Sequence, residues 1–442
     1  MNKLSRTFNT GSLLLFSLPT VIMMIFTSIY TMVDGIFVSR LIGTDALSAV
    51  NIVYPMASVL LAVGVMFATG ASAIIARKMG EGKTREAKQD FTFIVCFGFA
   101  VGVGLMILGT VFLDPLLRLM GADNHLFGMC RDYAQMMLWF TAPAMLSYMF
   151  QTFFVAAGRP LFGMAVIFSG GLTNMVLDYV FIGPMNMGVA GAALATGIGQ
   201  TLPAVIGLLF FALGRRQTLC LIRPAHSRRM ILDTCVNGSS EMVTNLAAAV
   251  VTLLFNVVMM KYAGSDGVAA ITIVLYSQFL LTAVFLGYSS GIAPVISYKY
   301  GNEDTLQLKK IFRISMGFVG ITSLVMFLAS MLFAPVIVGI FTSKSSPVFA
   351  MTVHGFYLFA ACYLFMGFNI FASSMFTALS NGKVSAAISF LRTFAFVIPC
   401  ILLLPEWVGI NGVWISVPVA ELLALGVSLF FFVKQRQNYH YA

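Results

Sequence analysis

The 442-residue sequence predicts an all-α polytopic membrane protein, and three observations carry that expectation. Hydrophobic residues make up 59% of the chain and charged residues 10%, whereas a soluble chain is about 25% charged. Apolar runs recur from end to end, long enough to cross a bilayer as helices of about 20 residues. The runs are apolar on all sides rather than alternating, which excludes a transmembrane barrel. Ordinary cytosolic enzymes, secreted disulfide scaffolds and disordered chains are excluded with it.

Lys3 and Arg6 precede the first run, as in a signal peptide. That run continues to about Val38 with no small-residue cleavage site, so it reads as a membrane helix over 12–38. Short charged or Gly/Pro-containing breaks then mark helices at 46–76, 91–113, 132–156, 161–182, 188–213 and 231–260. Five more follow at 268–298, 314–341, 353–379, 384–404 and 410–433. Pro19, Pro143, Pro203, Pro294 and Pro418 are the candidate kink positions, because proline removes a backbone donor. The positive-inside rule tests the count. With the N-terminus in the cytoplasm, 20 of the 26 lysines and arginines fall in inner segments, five in outer ones, and Arg392 within the eleventh span. One miscounted helix would erase that bias, so twelve spans with both termini cytoplasmic are expected.

The net charge of +10 is therefore a topology signal. Its basic residues form short clusters, not a continuous face, and no nucleic-acid partner is expected. The six cysteines lack CxxC spacing and read as small buried hydrophobes.

The sequence repeats itself at half its length. A shift of 221 residues lays LIGTDALSAVNIV (41–53) over YAGSDGVAAITIV (262–274), with 15 identities in the 49 positions from 43 to 91. Gly70 meets Gly291, Lys78 meets Lys299 and Gly80 meets Gly301 under the same shift. An even number of helices per repeat preserves orientation, giving two parallel-repeat six-helix bundles, a transporter device. The expected division is 1–214, a basic inner linker at 215–230, and 231–442.

Ionisable groups inside spans are costly, and each is a functional candidate. There are five: Asp34, Asp178, Glu241, Glu421 and Arg392. At 1.5 Å per residue, Asp34 and Asp178 lie roughly 6–9 Å below the outer ends of their helices. Asn174 lies one turn deeper, and Thr196 about 12 Å below the outer start of the sixth helix. Four oxygen-bearing side chains on three helices thus share one level in the first half. Carboxylate, amide and hydroxyl oxygens suit Na⁺, and paired carboxylates suit H⁺; the alternative is that each acid is paired for packing. At the shifted positions stand Phe255, Ala395, Pro399 and Val417, so the second half lacks this cluster.

Glu241 reads either as a cavity anion for cationic compounds or as a structural acid. Glu421 matches Gln200 and reads as interhelical glue, while Arg392 snorkels or pairs with Glu421. Tyr30, Tyr54, Tyr148, Phe153, Tyr276, Gln278 and Asn369 are candidate cavity residues, against the plainer reading of bundle filling. GEGKT at 80–84 is no phosphate loop, since Arg77 stands where the earlier glycine belongs. The histidines lack metal-ligand spacing.

These features resemble the multidrug and toxic compound extrusion (MATE) family, over essentially the whole chain. The carrying residues are Pro19 fifteen residues before Asp34, the N-x-x-x-D of Asn174 and Asp178, and GAALAT with Thr196. The resemblance implies a V-shaped pair of lobes in the inner (cytoplasmic) membrane. It also implies a monomer that exports amphipathic, often cationic compounds against inward Na⁺ or H⁺ flow, with no cofactor and no enzyme activity. In one branch the positions matching Asp34, Asn174, Asp178 and Thr196 form the cation site, and Pro19 is the helix-one hinge. Asn369 stands where another branch has an acid, which favours the MepA- or DinF-like branch. A lipid-linked oligosaccharide flippase of related fold is the rival reading, and it calls for several cationic groups within the spans where only Arg392 is present.

Overall fold

The computed structural model describes residues 3–214, 217–225 and 227–442, so Arg215, Arg216 and His226 of the expected linker lie outside the described residues. Regular structure among the described residues is helical throughout. The first half runs α1 (Thr10–Phe37), α2 (Thr44–Gly80), α3 (Thr84–Val111), α4 (Leu113–Leu119), α5 (Phe127–Trp139), α6 (Thr141–Ala156), α7 (Pro160–Ile182) and α8 (Gly188–Leu213). The second runs α9 (Arg228–Gly301), α10 (Thr305–Phe341), α11 (Pro347–Phe359), α12 (Tyr363–Ala378), α13 (Gly382–Phe390), α14 (Ile398–Val408) and α15 (Ile410–Tyr439). Ten stretches among the described residues are long and apolar enough to cross a membrane without interruption.

Three departures from the expected helices have local causes. The fourth, expected over 132–156, is broken at Phe140 into α5 and α6. Pro143 cannot donate to the Trp139 carbonyl, and the helix gives way one turn before it. The seventh and eighth form one hydrogen-bonded helix, α9, of 74 residues. At 1.5 Å per residue it would be about 110 Å long if straight. It bends at Gly264, whose φ of 62° and ψ of −152° only glycine adopts freely. The eleventh contains a π-helical turn, Leu391–Val397, between α13 and α14. Elsewhere helices outrun their apolar runs: α3 begins at Thr84 and α10 at Thr305, where polar turns continue them past the apolar stretch, with a side-chain cap in α10 alone of the two. Asp304 caps α10, accepting from the Gln307 amide at 3.2 Å.

The two halves meet reciprocally. Gly80 packs on the Tyr298 backbone, and Gly301 packs on Arg77; each pair is the image of the other under the 221-residue shift. Gly70 presses on Thr234 and Gly238 of α9, and its repeat partner Gly291 presses on Ser17 of α1. Contacts of the form i-to-j and j-to-i are the mark of a two-fold relation. All these approaches lie toward the face that carries the termini, where Lys299 Nζ donates to the Ser5 carbonyl and Tyr300 meets Tyr439. Gly43 and Gly264, at the opposite ends of α2 and of the first arm of α9, have nothing within 4 Å of where a Cβ would stand. The halves are thus closed against each other at the termini face.

Candidate functional site

Small residues bring α1, α7 and α8 together. Gly170 of α7 and Gly199 of α8 leave room for each other's backbone, and Gly171 receives the Phe26 and Tyr30 rings of α1. This close approach puts Asn174 and Asp178 of α7, one turn apart, beside Thr196 of α8 and Asp34 of α1. Asn174 Nδ2 donates to Thr196 Oγ1 at 3.3 Å. The Asp178 carboxyl neighbours both the Asp34 carboxyl and Asn174. Asp178 is fully buried and Asn174 nearly so.

The cluster is under-supplied with donors. Both Asp178 oxygens, Asp34 Oδ1 and Asn174 Oδ1 are buried without a hydrogen-bond partner. Buried oxygens of this kind normally have one, and two carboxylates so close hold one proton or one cation between them. The donor set therefore fits a small hard cation or a proton. Pro19 lies within α1 beside Thr20 and Val21, whose backbone packs against Gly287 of α9.

Two aromatic neighbours complete the surroundings. Tyr30 sits one turn from Asp34 on α1 and close to Tyr148, whose hydroxyl accepts from Gln200 Nε2 at 3.1 Å. Tyr133 of α5 lies near both acids, and sequence reasoning missed it. A tyrosine at the outer start of a span reads as an interface-belt residue, and the turn at Phe140 that aims it inward has no signal beyond Pro143.

The remaining candidates divide. Tyr54 and Tyr276 are half exposed, Tyr276 against Phe341, and Gln278 and Glu241 are partly exposed. Phe153 is not a cavity residue: it is fully buried, edge-on to Phe91 at 5.0 Å between ring centroids, in the core of the first half. Asn369 is not one either. Fully buried, it donates through Nδ2 to Glu421 Oε2 at 2.7 Å and accepts from Ser428 Oγ at 2.8 Å. Glu421 also takes two bonds from Arg392, at 2.8 and 2.6 Å. Glu241 of α9 faces the same guanidinium from further off.

Comparison with known proteins fits this geometry. The sequence profile of the MatE family matches twice, over 19–180 and 242–402, an offset close to the 221-residue repeat. The multidrug export protein MepA of Staphylococcus aureus strain N315 is 23% identical over 95% of this chain and 92% of its own length. Two solved structures share the fold. The crystal structure of MATE in complex with MaL6 has a TM-score of 0.94 at 21% identity, covering 100% of this chain and 99% of that one. The outward-facing conformation of a multidrug resistance MATE family transporter of the MOP superfamily has a TM-score of 0.92 at 21% identity, covering 100% and 98%. The chain belongs to the MatE family, the multidrug and toxic compound extrusion transporters, and is a membrane transporter rather than an enzyme.

Proposed function

We propose that this transporter is a cation-coupled multidrug exporter working by alternating access. The observation that carries the reading is the group of donor-less buried oxygens at Asp34, Asp178 and Asn174. Thr196 completes the set as a neutral oxygen bonded to Asn174. One H⁺ or one Na⁺ entering there supplies the missing positive charge, and these four side chains hold it. The break at Gly264 makes two crossings of α9, and α5 with α6 make one, giving twelve. Both termini then lie on one side, which the 20-to-5 bias of basic residues assigns to the cytoplasm. The working parts are lobes 1–214 and 231–442, joined by 215–230, in a monomer of the inner membrane.

With the termini face cytoplasmic, the reciprocal glycine contacts close the inner end and the cleft opens outward. Occupancy of the acid pair alters the packing of α1 on α7. That packing connects along α1 to Pro19, about 22 Å away at helical rise, where α1 meets the other lobe. Amphipathic, often cationic compounds occupy the cleft, with Tyr30, Tyr54, Tyr148, Tyr276, Gln278 and Glu241 around it; the multidrug export named for MepA supports a range of small molecules. Ethidium or norfloxacin efflux from everted vesicles, with Na⁺ and pH gradients imposed separately, tests the reading. Asp34→Asn and Asp178→Asn are expected to reduce gradient-driven efflux to background. Full efflux in either variant would sink the coupling assignment.

A further inference from the structure

At the termini face the halves are also joined by the chain ahead of α1. α1 is shared along its length. Toward its C-terminal end it packs on α7, where Gly171 receives Phe26 and Tyr30; nearer its start it packs on α9, where Gly287 meets Val21 and Gly291 meets Ser17. The residues before Thr10 continue that second track. Leu4 and Phe8 are fully buried, and Phe8 stands edge-on to Phe16 with ring centroids 5.7 Å apart. Two backbone groups of the segment are taken up by the second half. The Ser5 carbonyl accepts from Lys299 Nζ at 3.2 Å, and the Phe8 amide donates to Gln307 Oε1 at 2.9 Å.

Each side of this contact is complete without the other. On the second half, Asp304 accepts from Lys299 Nζ through one oxygen and from the Gln307 amide through the other, both at 3.2 Å. At the start of α1, Asn9 and Ser12 form a reciprocal capping box, with both bonds 2.8 Å long. The two helix starts therefore keep their caps when the segment leaves, and water replaces the two bonds that are given up. Lys299, 2% exposed beneath the segment, regains hydration in the same step. The first half spends the matching positions on itself. Lys78, the repeat partner of Lys299, pairs with Asp90 of α3 at 2.5 Å and lies 3.6 Å from Glu86, the partner of Gln307. The counterpart of Ser5 is His226, outside the described residues.

We propose that residues 4–9 are a releasable clasp that holds the termini face closed and must let go of Lys299 and Gln307 before that face opens. The segment is continuous with the part of α1 that is bound to α7, so drawing the halves apart pulls it off α9 and α10. Its role differs from that of the glycine contacts beside it. Packing at Gly70, Gly80 and Gly301 fades within about 1 Å of separation, whereas Lys299 and Gln307 have long side chains that follow the segment further. The glycines fix how closely the halves seat, and the clasp fixes when the seat is abandoned. The clasp rests on the alternating-access reading for its purpose, but on neither the Asp34 and Asp178 cluster nor any drug.

The test measures distances between spin labels in purified full-length protein without any drug. One pair sits at Glu81 and Asn302 on the termini face, the other at Asp45 and Asp266 on the opposite face; each pair is related by the 221-residue shift. Gln307→Leu is expected to raise the population with the longer Glu81–Asn302 distance by about threefold to tenfold, and Phe8→Ala, which empties a buried site, by more. Asp90→Asn, which unpairs Lys78 within the first half, is expected to leave that population unchanged. Gln307→Leu keeps the test decisive where Phe8→Ala fails to fold. An unchanged population in Gln307→Leu, or an equal rise in Asp90→Asn, overturns the clasp. A rise at the termini face with no shortening between Asp45 and Asp266 keeps the clasp and sinks the alternating-access reading instead.

Discussion

The two halves share a fold and spend their polar residues in opposite ways. In the first, Asp34, Asn174 and Asp178 leave buried oxygens with no donor; their repeat partners Phe255, Ala395 and Pro399 are apolar. In the second, Glu421, Asn369, Arg392 and Ser428 satisfy one another. Yet the same positions bond in both. Tyr148 pairs with Gln200 in the first half, and Asn369 with Glu421, 221 residues on, in the second. A volume exchange accompanies the difference. Gly171 accepts Phe26 and Tyr30 in the first half, whereas the matching positions of the second half hold Arg392, Ala247 and Val251. An under-satisfied polar group is costly and waits for a partner; a fully satisfied network rigidifies its surroundings. The first half thus leaves buried oxygens open to a partner, whereas the second has this group of polar side chains paired between helices.

The sharpest break of that contrast is at the acid pair. Asp178→Asn is expected to abolish gradient-driven efflux in vesicles, while Val417→Ala, at the partner of Thr196, leaves it intact. Next in size is the ion pair. Removing one member of a buried pair costs about 3–5 kcal/mol, so Arg392→Leu is expected to lower the unfolding midpoint of the detergent-solubilised protein sharply. Adding Glu421→Leu recovers most of the loss. The first-half counterpart is neutral, and Gln200→Leu is expected to cost only about 0.5–1.5 kcal/mol in the same measurement. Equal losses at the two positions would erase the distinction drawn between the halves.

A smaller effect probes the seam between them. A Cβ at Gly70 would stand on the Thr234 carbonyl and the Gly238 amide, neither of which can turn away. Gly70→Ala is expected to part α2 and α9 at a cost of about 1–3 kcal/mol. Spin labels at Glu81 and Asn302 then report a longer distance at the termini face. An unchanged distance would mean that this contact does not set the closed end.

The spans, the repeat and the acid cluster were legible because each is a one-dimensional signal. Apolar length, a fixed shift and depth along a helix need no knowledge of neighbours. Facing is a different matter. Phe153 and Asn369 lie on the expected helices at reasonable depths, but which side of α6 or α12 meets the core is decided by partners such as Phe91 and Glu421. Tyr133 was hidden for the same reason, and the π-helical turn at Arg392 has no composition of its own. The buried hydroxyl cluster that joins α12 to α13 was readable in part. Ser373 and Thr377, like Ser385 and Ser389, stand four apart, the spacing of one helix face.

The smallest effect is at the face away from the termini, where each half has one histidine contact. His125 Nε2 lies 3.0 Å from Asp45 Oδ2, tying the connection before α5 to the start of α2; both side chains are largely exposed. The hydrogen bond to the Asp45 carboxylate, with its charge, raises the His125 pKa above the ordinary histidine value. A raised pKa in the folded state means the contact is complete below the unfolded histidine value and is lost as pH climbs through the folded one. Amide exchange over 121–127 is therefore expected to quicken modestly as pH rises through neutrality, after correction for the intrinsic rate. Asp45→Asn is expected to remove that step. In the second half His354 meets Asn411 at 3.0 Å, a partner without charge, so exchange over 350–356 is the internal control. A step of the same size in both segments would show that the charge on Asp45 does not distinguish the two contacts.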